Sequence, residues 1–102
     1  MTHLLSKKSN WKRLAWILEQ HGTLSIHQLE YIHNEIFRVN QISVYAMVNI
    51  MTRSRGFICL EKKKIDNSRT STWIYQGEKI KISQTTKNRW DSKLEGLNSI
   101  IL

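Results

Sequence analysis

The sequence predicts an α+β domain in which three helices precede a β-hairpin and a fourth, amphipathic helix closes the chain. Three observations carry this. Apolar residues recur at helical spacing through residues 11–53, the period changes to two after Gly56 among β-branched and aromatic residues, and a helical apolar stripe returns after residue 86. A length of 102 residues, 40% of them hydrophobic, suits one domain with a packed core and disfavours intrinsic disorder.

The first helix is expected over residues 11–20, with Ser9 or Asn10 as N-cap and Gly22 just past its end. Trp11, Leu14, Ala15 and Leu18 fall at i, i+3, i+4 and i+7 and define its buried face. Lys7, Lys8, Lys12 and Arg13 crowd its start against the helix dipole, so that end is either solvated or close to an anion. Thr23, Leu24 and Ser25 make a short extended link, and Ser25 with Gln28 forms a capping box that opens a second helix with Leu29, Ile32, His33 and Ile36 on one face.

Residues 37–42 are expected to turn, and Ser43 to cap a third helix running to about Arg53. Val44, Met47, Val48 and Met51 face inward there, while Tyr45, Ala46, Asn49, Thr52 and Arg53 lie opposite. Strands over residues 57–63 and 70–75 flank a polar tip at residues 64–69, a β-hairpin. Residues 78–83 alternate Lys79 and Lys81 with Ile80 and Ile82, a short strand pattern. A last helix over residues 86–101 aligns Trp90, Leu94, Leu97 and Ile101, a stripe that serves either its own domain or a homodimer with a second copy. Residues 1–77 thus form the main domain, and 78–102 an extension that belongs to it or dimerises.

Sixteen Lys+Arg against eight Asp+Glu leave a net charge of +8, which attracts polyanions. The longest apolar run, residues 14–18, is far too short to span a bilayer, and the N-terminus lacks the apolar stretch of a signal peptide. Cys59 is the only cysteine, which fits a reducing compartment and forbids an internal disulfide. His21, His27 and His33 stand six apart and do not share a helical face, so no zinc pattern emerges, and no phosphate loop or nucleophile motif suggests an enzyme or a cofactor.

Helix, short strand, helix, turn, helix and hairpin is also the order of the winged helix-turn-helix, and residues 11–76 resemble the winged-helix family of DNA-binding regulators. The matching features are Gly22 before the Leu24 strand, the Ser25-capped second helix, the third helix carrying Val44 to Met51, and Arg55-Gly56-Phe57-Ile58 leading into the hairpin. Residues 52–56 form a joint one residue longer than the family's usual one. The resemblance implies that the third helix lies in the major groove of double-stranded DNA and that the hairpin is a wing on the backbone or minor groove.

The residue types agree with that implication. Gln41, Tyr45, Asn49 and Arg53 supply groups that tell bases apart, Ala46 suits a thymine methyl, and Ser43 with the free N–H groups at the helix start suits a phosphate. Lys12, Arg13, Lys62, Lys63, Lys64 and Arg69 would hold the backbone without reading sequence. Blander roles exist: Arg53 and Arg55 suit any helix C-terminus, the lysine run suits a hairpin edge protected from aggregation, and Trp11, Trp16, Trp73 and Trp90 suit core anchors. The expected function is sequence-specific DNA binding by a small transcriptional regulator in the cytoplasm, at the nucleoid or in a host cell. The alternatives are a protein-interaction module of a nucleoprotein complex, or RNA binding.

Overall fold

A computed structural model describes residues 2–65 and 68–101, with the side chains of residues 10–64 and 70–97. The order is α1 (Thr2–His21), β1 (Leu24–Ser25), α2 (Ile26–Ile36), a 3-10 turn (Arg38–Asn40), α3 (Val44–Arg53), β2 (Phe57–Ile65), β3 (Ser68–Tyr75) and α4 (Gln84–Ile101). The fold is α+β, with an antiparallel sheet in the order β1-β3-β2.

The capping box forms as expected. The Ser25 hydroxyl accepts from Gln28 N–H at 3.2 Å, and the Gln28 carbonyl accepts from Ser25 N–H at 3.0 Å, satisfying two of the donors a helix start leaves free. Leu29, Ile32, His33 and Ile36 are all buried. Just ahead of α2, Leu24 stands opposite Trp73 and Ser25 opposite Thr72, so a two-residue strand ties the helices to the hairpin.

Three expectations at the chain ends are corrected. No glycine or proline stands before Gly22 to stop α1, which already begins at Thr2, and the Asn10 side chain accepts from Arg13 Nη1 at 3.0 Å instead of capping. Residues 78–83 form no strand, because β3 already has β1 on one edge and β2 on the other. Their alternation instead packs Ile80 and Ile82 against the core. α4 starts two residues early because the Ser83 hydroxyl accepts from Thr86 N–H at 3.2 Å.

α1 is buried on more than the expected face. Leu14, Ala15, Trp16, Ile17 and Leu18 are all buried because α1 packs against α2, α3 and β3, and Trp90 of α4, a helix packed on α2, closes over Trp16. Trp90 of α4 meets Trp16 edge-on with ring centroids 5.4 Å apart, and Phe37 at 5.3 Å. Phe37 is therefore a core residue at the head of the turn. Trp90, Leu94 and Leu97, the described part of the stripe expected to serve either the core or a homodimer, are buried in the core of the same chain. The side chain of Ile101 lies outside the described residues.

The hairpin strands run further than expected, to Ile65 and from Ser68, and Asp66 and Asn67 at the tip lie outside the described residues. Cys59 pairs with Trp73 and Glu61 with Thr72, so Leu60 is an extra residue, a β-bulge. At the open end of the hairpin Gly56 has φ +93°, and a Cβ on it would lie 2.6 Å from Gly77 Cα. Gly56 C=O accepts from Gln76 N–H at 2.7 Å across that approach. Gly22 has a similar φ of +83° but open space around it. Gly56→Ala should cost roughly 2–4 kcal/mol, combining backbone strain with a backbone clash, and Gly22→Ala only about 1 kcal/mol. Urea denaturation of the two variants checks this, and equal losses would contradict the close-approach argument.

Candidate nucleic-acid interface

α2 fixes where α3 begins. The Asn34 amide grips Ile42 from both sides: Nδ2 donates to Ile42 C=O and Oδ1 accepts from Ile42 N–H, each at 3.0 Å. The His33 ring lies with Nδ1 2.9 Å from the same Oδ1, and donation from Nδ1–H is the tautomer this oxygen can accept. One turn earlier, Glu30 Oε2 accepts from Val44 N–H at 3.1 Å, while the Ser43 hydroxyl accepts from Ala46 N–H at 3.1 Å. Two donors at the start of α3 are thus already used and a carboxylate sits on one of them. The Ser43 hydroxyl, expected to help hold a phosphate, therefore caps its own helix with the Glu30 carboxylate beside it, a charge that disfavours an anion there.

Glu30 and Asn34 were not singled out by the sequence pattern. Their only signal is an i, i+4 polar pair bordering the apolar stripe of α2.

On α3, Met47 and Met51 are buried and Val44 and Val48 half-buried, as the spacing predicts. Tyr45, Asn49 and Arg53 form an i, i+4, i+8 row on the other side; Tyr45 and Arg53 are exposed and Asn49 half-buried. Ala46 is half-buried, and Gln41 and Ser43 are exposed ahead of the helix.

The bulge decides which hairpin lysines accompany that row. Residues directly opposite in an antiparallel pair share a face, so Lys62 opposite Ser71 and Lys64 opposite Arg69 lie on the face of Trp73, toward α3. Lys63 lies on the other face and its ammonium is 3.0 Å from Glu61. In a regular register, with Leu60 itself opposite Thr72, Lys63 would take the inner position. The side chain of Arg69 lies outside the described residues. Lys62, Lys63 and Lys64, with Tyr45, Val44 and Val48, line one groove between α3 and the hairpin, Lys62 and Lys64 being the two whose register turns them toward α3.

Lys12 and Arg13 do not join this groove. Arg13 lies over the Phe37 ring with its guanidinium carbon 5.0 Å from the centroid, and burial lowers its pKa. Lys12 lies beside Trp11, which is half-buried and lines a recess with Ser54 and Gly56. Cys59 is half-buried, its thiol donating to Glu61 C=O at 3.5 Å. Among the described residues no group of three or more His, Cys, Asp and Glu stands ready to hold a metal ion. No described helix is long and apolar enough to cross a membrane.

His33 couples this scaffold to pH. Burial pushes its pKa down to about 4; the hydrogen bond with Asn34 opposes that shift and the charge of Arg13 adds to it. The unfolded chain, with an ordinary value near 6.5, binds the proton more tightly than the folded one, so stability falls as pH drops from about 6.5 toward 4. Above that window the neutral ring contributes no pH dependence. The loss from pH 7 to pH 4 should be on the order of 3 kcal/mol. Denaturant midpoints between pH 7 and pH 5 check it: His33→Leu should flatten the slope, and an unchanged slope would contradict the assignment.

Comparison with known proteins finds no matching family model, no matching characterised protein and no matching solved structure.

Proposed function

We propose that the chain is a winged helix-turn-helix that binds duplex DNA sequence-specifically, with α3 in the major groove and the hairpin lysines on phosphates. The observation that carries the reading is the row Tyr45, Asn49 and Arg53 along α3, whose first member Tyr45 lines a groove together with the hairpin lysines. An amide and a guanidinium on an exposed helix can pair bidentately with base edges, and lysines alongside supply attraction that is blind to sequence. The order of elements from α1 to β3 supports the winged-helix assignment. A small transcriptional regulator, working beside DNA in the cytoplasm, is the simplest role.

A second reading, a protein-interaction module within a nucleoprotein complex, is favoured by Ile58 and Leu60. They are 40% and 55% exposed on β2, the strand at the sheet's edge. Fluorescence anisotropy on a selected duplex and a random one, at two salt concentrations, separates the readings. Asn49→Ala and Arg53→Ala should each cost about 1–3 kcal/mol on the selected duplex and little on the random one. Lys62→Gln with Lys64→Gln should weaken both duplexes alike and lower the salt slope by about 0.9 per lost phosphate contact. Lys63→Gln should do less because Glu61 already holds that ammonium. Equal losses on both duplexes for every variant would refute the role of α3. Duplex binding insensitive to salt would favour the protein-partner reading, and stronger competition by structured RNA would redirect the lysines to RNA.

A further inference from the structure

The groove between α3 and the hairpin has a volume of about 760 Å³, within the range of small-molecule sites. Its apolar lining is Ile26, Val44, Val48 and Trp73, while Lys62, Lys63 and Lys64 line the hairpin side, Lys63 with its ammonium on Glu61, and the exposed Tyr45 lines the α3 side. The indole N–H of Trp73 is already satisfied, donating to the Ser71 hydroxyl at 2.7 Å, which leaves the hydroxyl proton free to donate. Neither Lys62 nor Lys64 has a carboxylate partner among the described residues.

A phosphodiester backbone would meet the lysines and leave the floor in water. A purely apolar ligand would cover the floor and leave Lys62 and Lys64 without a counter-charge. Only an occupant with an apolar body and an anionic group relieves both. We propose that the groove binds a small organic anion of this kind, an aromatic carboxylate or sulfonate being the simplest, with its charge between Lys62 and Lys64 and its ring on Val48 and Trp73. Binding of the anion stands independently of the DNA reading. Its consequence rests on that reading: the anion and a DNA backbone use the same lysines, so each excludes the other.

The test titrates the full chain with anilinonaphthalene sulfonate, and in parallel with phenylnaphthylamine, which keeps the rings and lacks the charge. The sulfonate should bind at one saturable site, about tenfold tighter than the neutral probe. Lys62→Gln with Lys64→Gln should bring the sulfonate down to the affinity of the neutral probe and leave the latter unchanged. Val48→Glu should remove both, and Leu60→Gln, an exposed apolar residue at the hairpin bulge, should change neither. Equal affinity of the two probes, or loss with Leu60→Gln in place of Val48→Glu, overturns the site. Should circular dichroism show that Val48→Glu is unfolded, the lysine pair decides, and sulfonate binding indifferent to it overturns the proposal. Duplex DNA added to the loaded protein should release the sulfonate. Duplex binding without release overturns the mutual exclusion, whereas probe binding as expected with no duplex binding upholds the site and removes the DNA reading.

Discussion

The pairing of two residues, Leu24 and Ser25, with Trp73 and Thr72 determines how the rest of the molecule is arranged. A two-stranded hairpin is marginal in water on its own, and this third strand makes β3 central and buries Trp73 against the helices. It also fixes the hairpin beside α3, because α2 starts at the residue after β1 and α3 packs on α2. With both edges of β3 taken, the chain after Tyr75 must leave the sheet. It packs Ile80 and Ile82 against the core and leads into α4, which packs on α2 with Trp90 against Trp16 of α1.

α2 then carries two tasks with one stretch of sequence. Its apolar stripe fills the core, and its polar neighbours Glu30 and Asn34 set the first turn of α3 through hydrogen bonds to backbone. Side chains that satisfy backbone groups of another element fix its position more sharply than apolar packing, which tolerates sliding. His33 lies between the two tasks: its ring is wholly buried, yet it shares the oxygen that holds Ile42. Charging that ring would place a cation in the core with Nε2 lacking an acceptor among the described residues, which is why the scaffold favours the neutral form.

Local signals in the sequence carried most of the element order. Ser25 and Gln28, Ser43, and the i, i+3, i+4 spacing of Val44, Met47, Val48 and Met51 are decided within one helical turn, and they lie where expected. The features that escaped depend on contacts distant in sequence. Nothing near Leu60 marks it as a bulge, since its effect exists only in the pairing with β3, yet it exchanges which lysines face α3. The ownership of the α4 stripe was equally illegible, because periodicity shows that Trp90, Leu94 and Leu97 need a surface without showing that Trp16 and Phe37 provide it. Lys12 and Arg13 share the charge of the hairpin lysines, and only the fold separates them from it, laying Arg13 on Phe37.

The distribution of charge around the groove sharpens what a net +8 means. Within α3 the only cation is Arg53, at its last turn, where it also complements the helix dipole. The other cations near the groove belong to the hairpin, and of these Lys63 is tied to Glu61. Two lysine ammonium groups are therefore held beside a helix face that is polar but nearly uncharged. A helix lined with lysines would bind any polyanion and discriminate poorly, because phosphate attraction would dominate its contacts. In the proposed DNA-binding role, keeping the charge on a separate strand lets attraction and discrimination be altered independently. It also exposes the attractive part to any small anion that can use the apolar floor beneath it.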